Sequence, residues 1–221
     1  MCNLDDLRLS DEFKSFLLVN LTKTLIFLFM RHLVVLMLLI FSVLQVYSQS
    51  EQALNKQIRL SLEELKAFVA LPNDANSPKD IDQNLIWLVR AFKGRGFDAR
   101  LLATEGLPLF YAEMSSSPEK PTILFYMHFD GQSVDPSKWE QNDPYQIVLK
   151  KSEGSRWVEM PWSALNKGIN PEWRLFGRST SDDKGPIVMF LNAFDMLRYE
   201  GKEIPFNIKV ILDGEEEKSS K

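Results

Sequence analysis

Pro121-Thr122-Ile123-Leu124-Phe125-Tyr126-Met127 runs directly into His128-Phe129-Asp130. The stretch has no charged break until Asp130, and β-branched and aromatic residues fill its centre. This predicts a strand over 121–127, and its unbroken apolarity predicts burial on both faces of an α/β sheet. A second such segment, 206–212, alternates at first and then turns apolar, as a strand entering the same sheet would.

Working outward, the spacing of Leu62, Leu65 and Val69 predicts a helix over 61–69, with Ser61 as its cap and Glu64 completing a capping box. Asn73 to Asp80 reads as a polar loop. Ile81, Leu85, Leu88, Val89 and Phe92 share one side of a second helix over 81–93, stopped by Gly94-Arg95-Gly96. Residues 97–102 and 109–113 read as strands, 115–120 as a turn-rich spacer and 185–198 as a helix. The long aromatic-containing stretch before that helix reads as irregular. Helices and strands alternate, so the expected class is a layered α/β domain.

Composition fits one globular core: of 221 residues, 45% are hydrophobic and 25% charged. The net charge of −4 implies no strongly basic face, so nucleic acid is not an expected partner. Cys2 is the single cysteine, which excludes an intrachain disulfide and a cysteine-based metal site. Of the two histidines, His32 lies in the apolar N-terminal region, so imidazole chemistry in the domain falls to His128.

That N-terminal region carries its own message. Met30-Arg31-His32 precedes the apolar run 33–46, and Tyr47-Ser48 leads into polar Gln49-Ser50-Glu51. A basic start, a short apolar run and small residues at Val46 and Ser48 predict a signal peptide over 30–48 with cleavage after Ser48, or else an uncleaved membrane anchor. Either places the protein outside the cytoplasm (periplasmic or secreted) or on a membrane. Residues 1–29 hold a charged segment and a second apolar run broken by Asn20 and Lys23, a prefix foreign to signal peptides. They read as an extension upstream of a true start at Met30, and 49–221 as the N-terminal part of a catalytic domain.

Three polar clusters fall at or near strand ends, where ligand sites gather in open α/β sheets. In His128-Phe129-Asp130, the histidine suits a metal and Asp130 points the same way along extended chain, able to hold the other ring nitrogen. A histidine satisfied near a turn gives the same short pattern. In Gly177-Arg178-Ser179-Thr180-Ser181-Asp182-Asp183-Lys184-Gly185-Pro186, a carboxylate at a helix start gains from the helix dipole, and Asp182 has two oxygens with which to bridge cations. A plain helix cap reads identically. In Asp213-Gly214-Glu215-Glu216-Glu217, neighbouring carboxylates repel unless a cation or proton lies between them, so one can bind metal while another acts as general base. A solvated acidic segment is the alternative.

In this order, the three clusters resemble the co-catalytic zinc metallopeptidase family of carnosinase, aminoacylase, succinyl-diaminopimelate desuccinylase and glutamate carboxypeptidase, from about residue 60 onward. Met127-His128-Phe129-Asp130-Gly131-Gln132, Trp139 and Ser181-Asp182-Asp183-Lys184-Gly185-Pro186 are most similar to the carnosinase-type dipeptidase branch. The resemblance implies a three-layer α/β/α catalytic domain, incomplete at the C-terminus, and two divalent metal ions, zinc first, with manganese or cobalt as alternatives. It implies His128 as a ligand of one metal with Asp130 orienting it, Asp182 bridging both, Glu216 as general base and Glu217 as ligand of the other metal. The pair Glu215-Glu216 fits a bare reading of the glutamates, and counting from Asp213-Gly214 favours 216 and 217. The implied reaction is hydrolysis of amide bonds in dipeptides or short peptides by a metal-activated water, in a parent that forms a homodimer.

Two departures stand out: Ser179 occupies a usual glycine position, and Lys218-Ser219-Ser220 replaces Ser-Gly-Ser. The family also draws further ligands from chain beyond the glutamates, so this stretch alone is expected to be inactive and to bind metal poorly. Two other functions remain open at this point: an N-acyl amino acid hydrolase of the same metal core, and a non-catalytic exported remnant.

Overall fold

The computed structural model describes residues 11–220. The chain divides into two units, Met1–Ala53 and Leu54–Lys221. Cys2 and the charged start of the 1–29 segment lie outside the described residues. In the first unit, helix α1 (Asp11–Val69) begins. It contains a stretch, Leu18–Phe41, of 24 residues with mean hydropathy 2.4, long and apolar enough to cross a membrane by length and composition. That stretch joins the two apolar runs that the sequence shows on either side of Met30.

The second unit holds the end of α1, α2 (Pro78–Gly94), α3 (Lys184–Tyr199) and seven strands. Strands β1 (Asp98–Leu102), β2 (Leu109–Met114), β3 (Thr122–His128) and β7 (Asn207–Asp213) form one sheet in the order β1-β2-β7-β3. β7 is antiparallel to β2 and parallel to β3, with His128 paired to Asp213 at the last position. The two parallel strands therefore end side by side.

One face of this sheet is the core. Ala99, Phe110, Ala112, Ile208, Val210 and Leu212 pack with Phe68 of α1, Leu88 and Phe92 of α2, and Ile187 and Leu191 of α3. Arg95 at the end of α2 ties the three helices together, bonding Glu64 at 2.8 Å and Asp195 at 2.7 Å. Burial disfavours its charge, but the two carboxylates more than offset this and raise its pKa.

The expected α/β class is what forms, with four corrections. The first concerns β3, which is not buried on both faces. Leu124 and Tyr126 are each 57% exposed, because the described helices cover one face only. Among the described residues, the helices packed on this sheet form a layer on its other face.

Second, Ser61 caps nothing. It sits inside α1 and donates its Oγ to the Gln57 carbonyl at 3.1 Å, since 54–60 continue the helix. Third, α2 starts at Pro78, within the expected loop, because proline fits the first helical position where no N–H is needed.

The fourth correction is in the supposed irregular stretch. It contains a second, antiparallel sheet ordered β5-β4-β6, from β4 (Val148–Glu153), β5 (Arg156–Met160) and β6 (Arg174–Phe176). Its residues Lys150, Lys151 and Glu153 hide the usual apolar alternation. Lys150 is nevertheless buried, with Nζ against Glu140 at 2.5 Å and over the Phe176 ring.

Candidate functional site

His128 is the last residue of β3, and its backbone continues into Phe129, whose N–H donates to the Asp213 carbonyl at 2.8 Å. The Phe129 ring is fully buried against Gly214, where a Cβ would collide with it. The Asp-Gly step after β7 is therefore required by the aromatic of the neighbouring strand end, and the two loops descend from one packed point.

The His128 ring lies between two carboxylates. Nδ1 is 3.3 Å from Asp130 Oδ1, and Nε2 is 2.8 Å from Asp182 Oδ1. Asp130 is fully buried, whereas the Asp182 side chain is 75% exposed. One ring nitrogen is thus fixed from inside and the other faces an open carboxylate. Asp183, at the start of α3, accepts the His128 backbone N–H at 3.2 Å. The Asp182–Asp183 peptide bond is cis.

Burial disfavours the charged form of His128. Hydrogen bonds that the ring donates to Asp130 and Asp182, and the charges of Asp130 and Asp183, outweigh it and push the imidazole up from 6.5 to about 9. The Asp183 carboxyl is raised too: burial pushes it up, partly offset by the His128 N–H and charge.

Asp130 also organises the glutamate loop. Its Oδ1 accepts the Glu216 N–H at 3.2 Å and its Oδ2 the Glu217 N–H at 3.0 Å. One buried carboxylate therefore sets both the histidine ring and the backbone carrying two of the three glutamates. Glu215 is otherwise engaged. It is buried, accepts the Leu107 N–H at 2.6 Å and pairs with Lys218 at 3.1 Å. That leaves Glu216 and Glu217 as the glutamates not bound up in the fold. Glu217 Oε2 accepts from Gln132 Nε2 at 3.0 Å.

The structure thus brings His128, Asp130 and Asp182 into direct contact and ties 216 and 217 to them through the backbone. Among the described residues, no three His, Cys, Asp or Glu side chains are gathered to hold one metal ion. The donor chemistry nonetheless fits a divalent cation. The imidazole has one nitrogen pinned from inside and the other turned to an exposed carboxylate, and two further carboxylates sit on the adjoining loop.

Lys184 lies buried beneath this loop. Its Nζ donates to the Phe68 carbonyl at 2.9 Å and the Leu71 carbonyl at 2.6 Å, closing the end of α1. Burial lowers its pKa well below the ordinary lysine value. The residue lies in the quoted loop motif, but nothing in that motif signals a buried amine. Sequence reasoning also missed Asn73, because an isolated amide in a polar stretch carries no pattern.

The two departures from the family pattern both fall at left-handed backbone. Ser179 has φ 60° and Ser219 φ 76°, a region where glycine avoids the steric cost of a Cβ.

Residues 124–221 match the model of Peptidase family M20/M25/M40, and the family resemblance read from the three motifs stands. The Beta-Ala-His dipeptidase of Mus musculus is 34% identical over 113 residues, 51% of this chain and 19% of that protein. The Cys-Gly metallodipeptidase DUG1 of Saccharomyces cerevisiae is 27% identical over 113 residues, 51% of this chain and 20% of that protein. The structure of human carnosine dipeptidase 1 aligns with a TM-score of 0.60 at 25% identity, covering 76% of this chain and 34% of that one. The chain spans about a fifth of the length of these two curated relatives.

Proposed function

From the likeness of residues 124–221 to Peptidase family M20/M25/M40, we propose that the protein works as a metal-dependent dipeptidase, hydrolysing the amide bond of dipeptides or other short peptides. The observation that carries this reading is His128 held between buried Asp130 and exposed Asp182 at the end of a parallel strand pair, with Asp130 also gripping the Glu216 and Glu217 backbone.

His128 would hold one divalent ion through Nε2, Glu217 a second, and Asp182 both. Zinc suits the mixed imidazole and carboxylate set, and manganese or cobalt would serve. Such ions supply Lewis acidity at the amide carbonyl. Asp130 fixes the tautomer of His128, keeping Nε2 free of the ring proton when it ligates. Glu216, exposed and uncommitted to the fold, takes a proton from the attacking water and returns it to the leaving amine.

The reading extends to the N-terminus: Leu18–Phe41 would serve as an export signal or membrane anchor, which puts the catalytic unit outside the cytoplasm. Carbonate extraction of membranes, which retains an anchored chain and releases an exported one, separates the two.

The catalytic assignment is tested by two substitutions in the protein at its natural length. Glu216→Gln should keep divalent metal and lose several orders of magnitude in hydrolysis of β-Ala-His or Cys-Gly. Glu217→Gln should lose metal. The reverse pattern would move the frame by one residue.

A further inference from the structure

Asn73 lies in the segment between α1 and α2 and is fully buried. Its Nδ2 donates to the Phe129 carbonyl at 2.7 Å and to Ser179 Oγ at 2.9 Å. Phe129 sits between His128 and Asp130, and Ser179 opens the loop that presents Asp182. One amide group therefore spans the two loops whose side chains meet at the His128 ring. Its backbone joins in, since the Asn73 carbonyl accepts the Gly131 N–H at 2.9 Å and Asp74 pairs with Gly131 as a parallel bridge. A Cβ on Gly131 would strike Ser179 Oγ and the Asn73 amide, so the three residues close on one another without slack.

The segment bearing Asn73 is itself anchored. Lys184, two residues past Asp182, grips the carbonyls of Phe68 and Leu71 just upstream. The loop of Asp182 is thus bound to this segment twice, at Ser179 and at Lys184, while the loop of His128 is bound to it through Phe129 and Gly131. A second, direct tie runs beside it, since the Asp183 carboxylate next to Asp182 accepts the His128 backbone N–H at 3.2 Å, but Asn73 is the residue outside both loops that bonds the Phe129 carbonyl and the Ser179 hydroxyl together.

We propose that Asn73 is a positioning residue for the metal site: it sets the separation of His128 and Asp182 by tying Phe129 to Ser179. This rests on the proposed metal-binding role of His128 and Asp182. The geometry is demanding because the Asn73 donor serves two acceptors at once, and its Oδ1 has no hydrogen-bond partner among the described residues. A side chain kept in a buried place with one polar atom unsatisfied is being held there by its two other bonds.

The test is Zn2+ titration, by calorimetry, of the protein at its natural length in detergent micelles, with thermal unfolding measured alongside. Asn73→Ala should raise the Zn2+ dissociation constant about 10- to 100-fold, the usual penalty for losing an outer support of a metal ligand. Ser179→Ala, which removes one of the two acceptors, should raise it by a smaller factor and keeps the question answerable if Asn73→Ala does not fold. Asn207→Ala is the matched control. Asn207 is buried at the opposite end of β7 and donates to Ser117 and Lys120, so its loss should lower the unfolding temperature and leave Zn2+ affinity unchanged. His128→Ala tests the premise separately and should abolish binding.

If His128→Ala abolishes binding while Asn73→Ala or Ser179→Ala matches wild type, or shifts affinity no more than Asn207→Ala, the positioning role is overturned and the metal reading survives. If wild type takes up no Zn2+, or His128→Ala takes up as much as wild type, the metal reading falls and the inference with it.

Discussion

Replacing Asp130 by Asn keeps the shape of a fully buried side chain and removes its charge. The carboxylate accepts from three donors: His128 Nδ1, the Glu216 N–H and the Glu217 N–H. Asparagine has one oxygen for them and turns an N–H pair toward a donor. Leaving one buried donor unpaired costs about 1–3 kcal/mol. The lost charge matters through His128. A shift from 6.5 to about 9 corresponds to about 3 kcal/mol if unscreened. Asp182 and Asp183 contribute to that shift and the site is open to water, so about 1–2 kcal/mol is a fair share for Asp130.

The sign follows from linkage. The folded-state pKa of His128 is raised, so its contribution is fully present below pH 6.5 and is lost as pH rises through about 9. Asp130→Asn should therefore destabilise the metal-free chain by about 2–5 kcal/mol at pH 6 and by clearly less at pH 10. Urea denaturation read on the fluorescence of the five tryptophans measures both values. A penalty that stays constant or grows with pH would refute the claim that Asp130 holds a protonated imidazole.

Glu215→Ala should destabilise the fold, because it orphans the half-buried Leu107 N–H and frees Lys218, yet should leave Zn2+ affinity within about two-fold. A large loss of metal would return Glu215 to the ligand set. Ser219→Gly should stabilise by about 0.5–1 kcal/mol, since Ser219 holds φ 76°; a lower unfolding temperature would contradict that. Lys184→Ala should cost about 2–4 kcal/mol, because it leaves a cavity and strips the Phe68 and Leu71 carbonyls of their donor. Calorimetry reads this, and an unchanged unfolding temperature would mean that water replaces the amine.

Much of the site was legible because its chemistry sits at the ends of apolar strands. Strand β3 announces itself by an unbroken hydrophobic run and strand β7 by an alternation that turns apolar, and the polar residues that follow them fall at the strands' ends, where His128 pairs with Asp213. The helix read over 185–198 forms as Lys184–Tyr199. Periodicity says nothing of long-range partners. The buried amide of Asn73 and the buried amine of Lys184 find their acceptors 56 and 116 residues away, in carbonyls that carry no residue identity. The second sheet escaped because Lys150, Lys151 and Glu153 interrupt β4, and Lys150 becomes buried only once Glu140 and Phe176 surround it. Exposure of β3 on one face escaped because apolarity reports what a strand could bury, while the described helices all lie on the other side.

The most direct test is hydrolysis of β-Ala-His by the protein at its natural length, before and after removal of divalent metal by a chelator. Activity should vanish on chelation, return on addition of Zn2+, Mn2+ or Co2+ to the wild type, and fail to return in His128→Ala. Hydrolysis that persists without metal, or that metal restores equally in His128→Ala, would contradict the account.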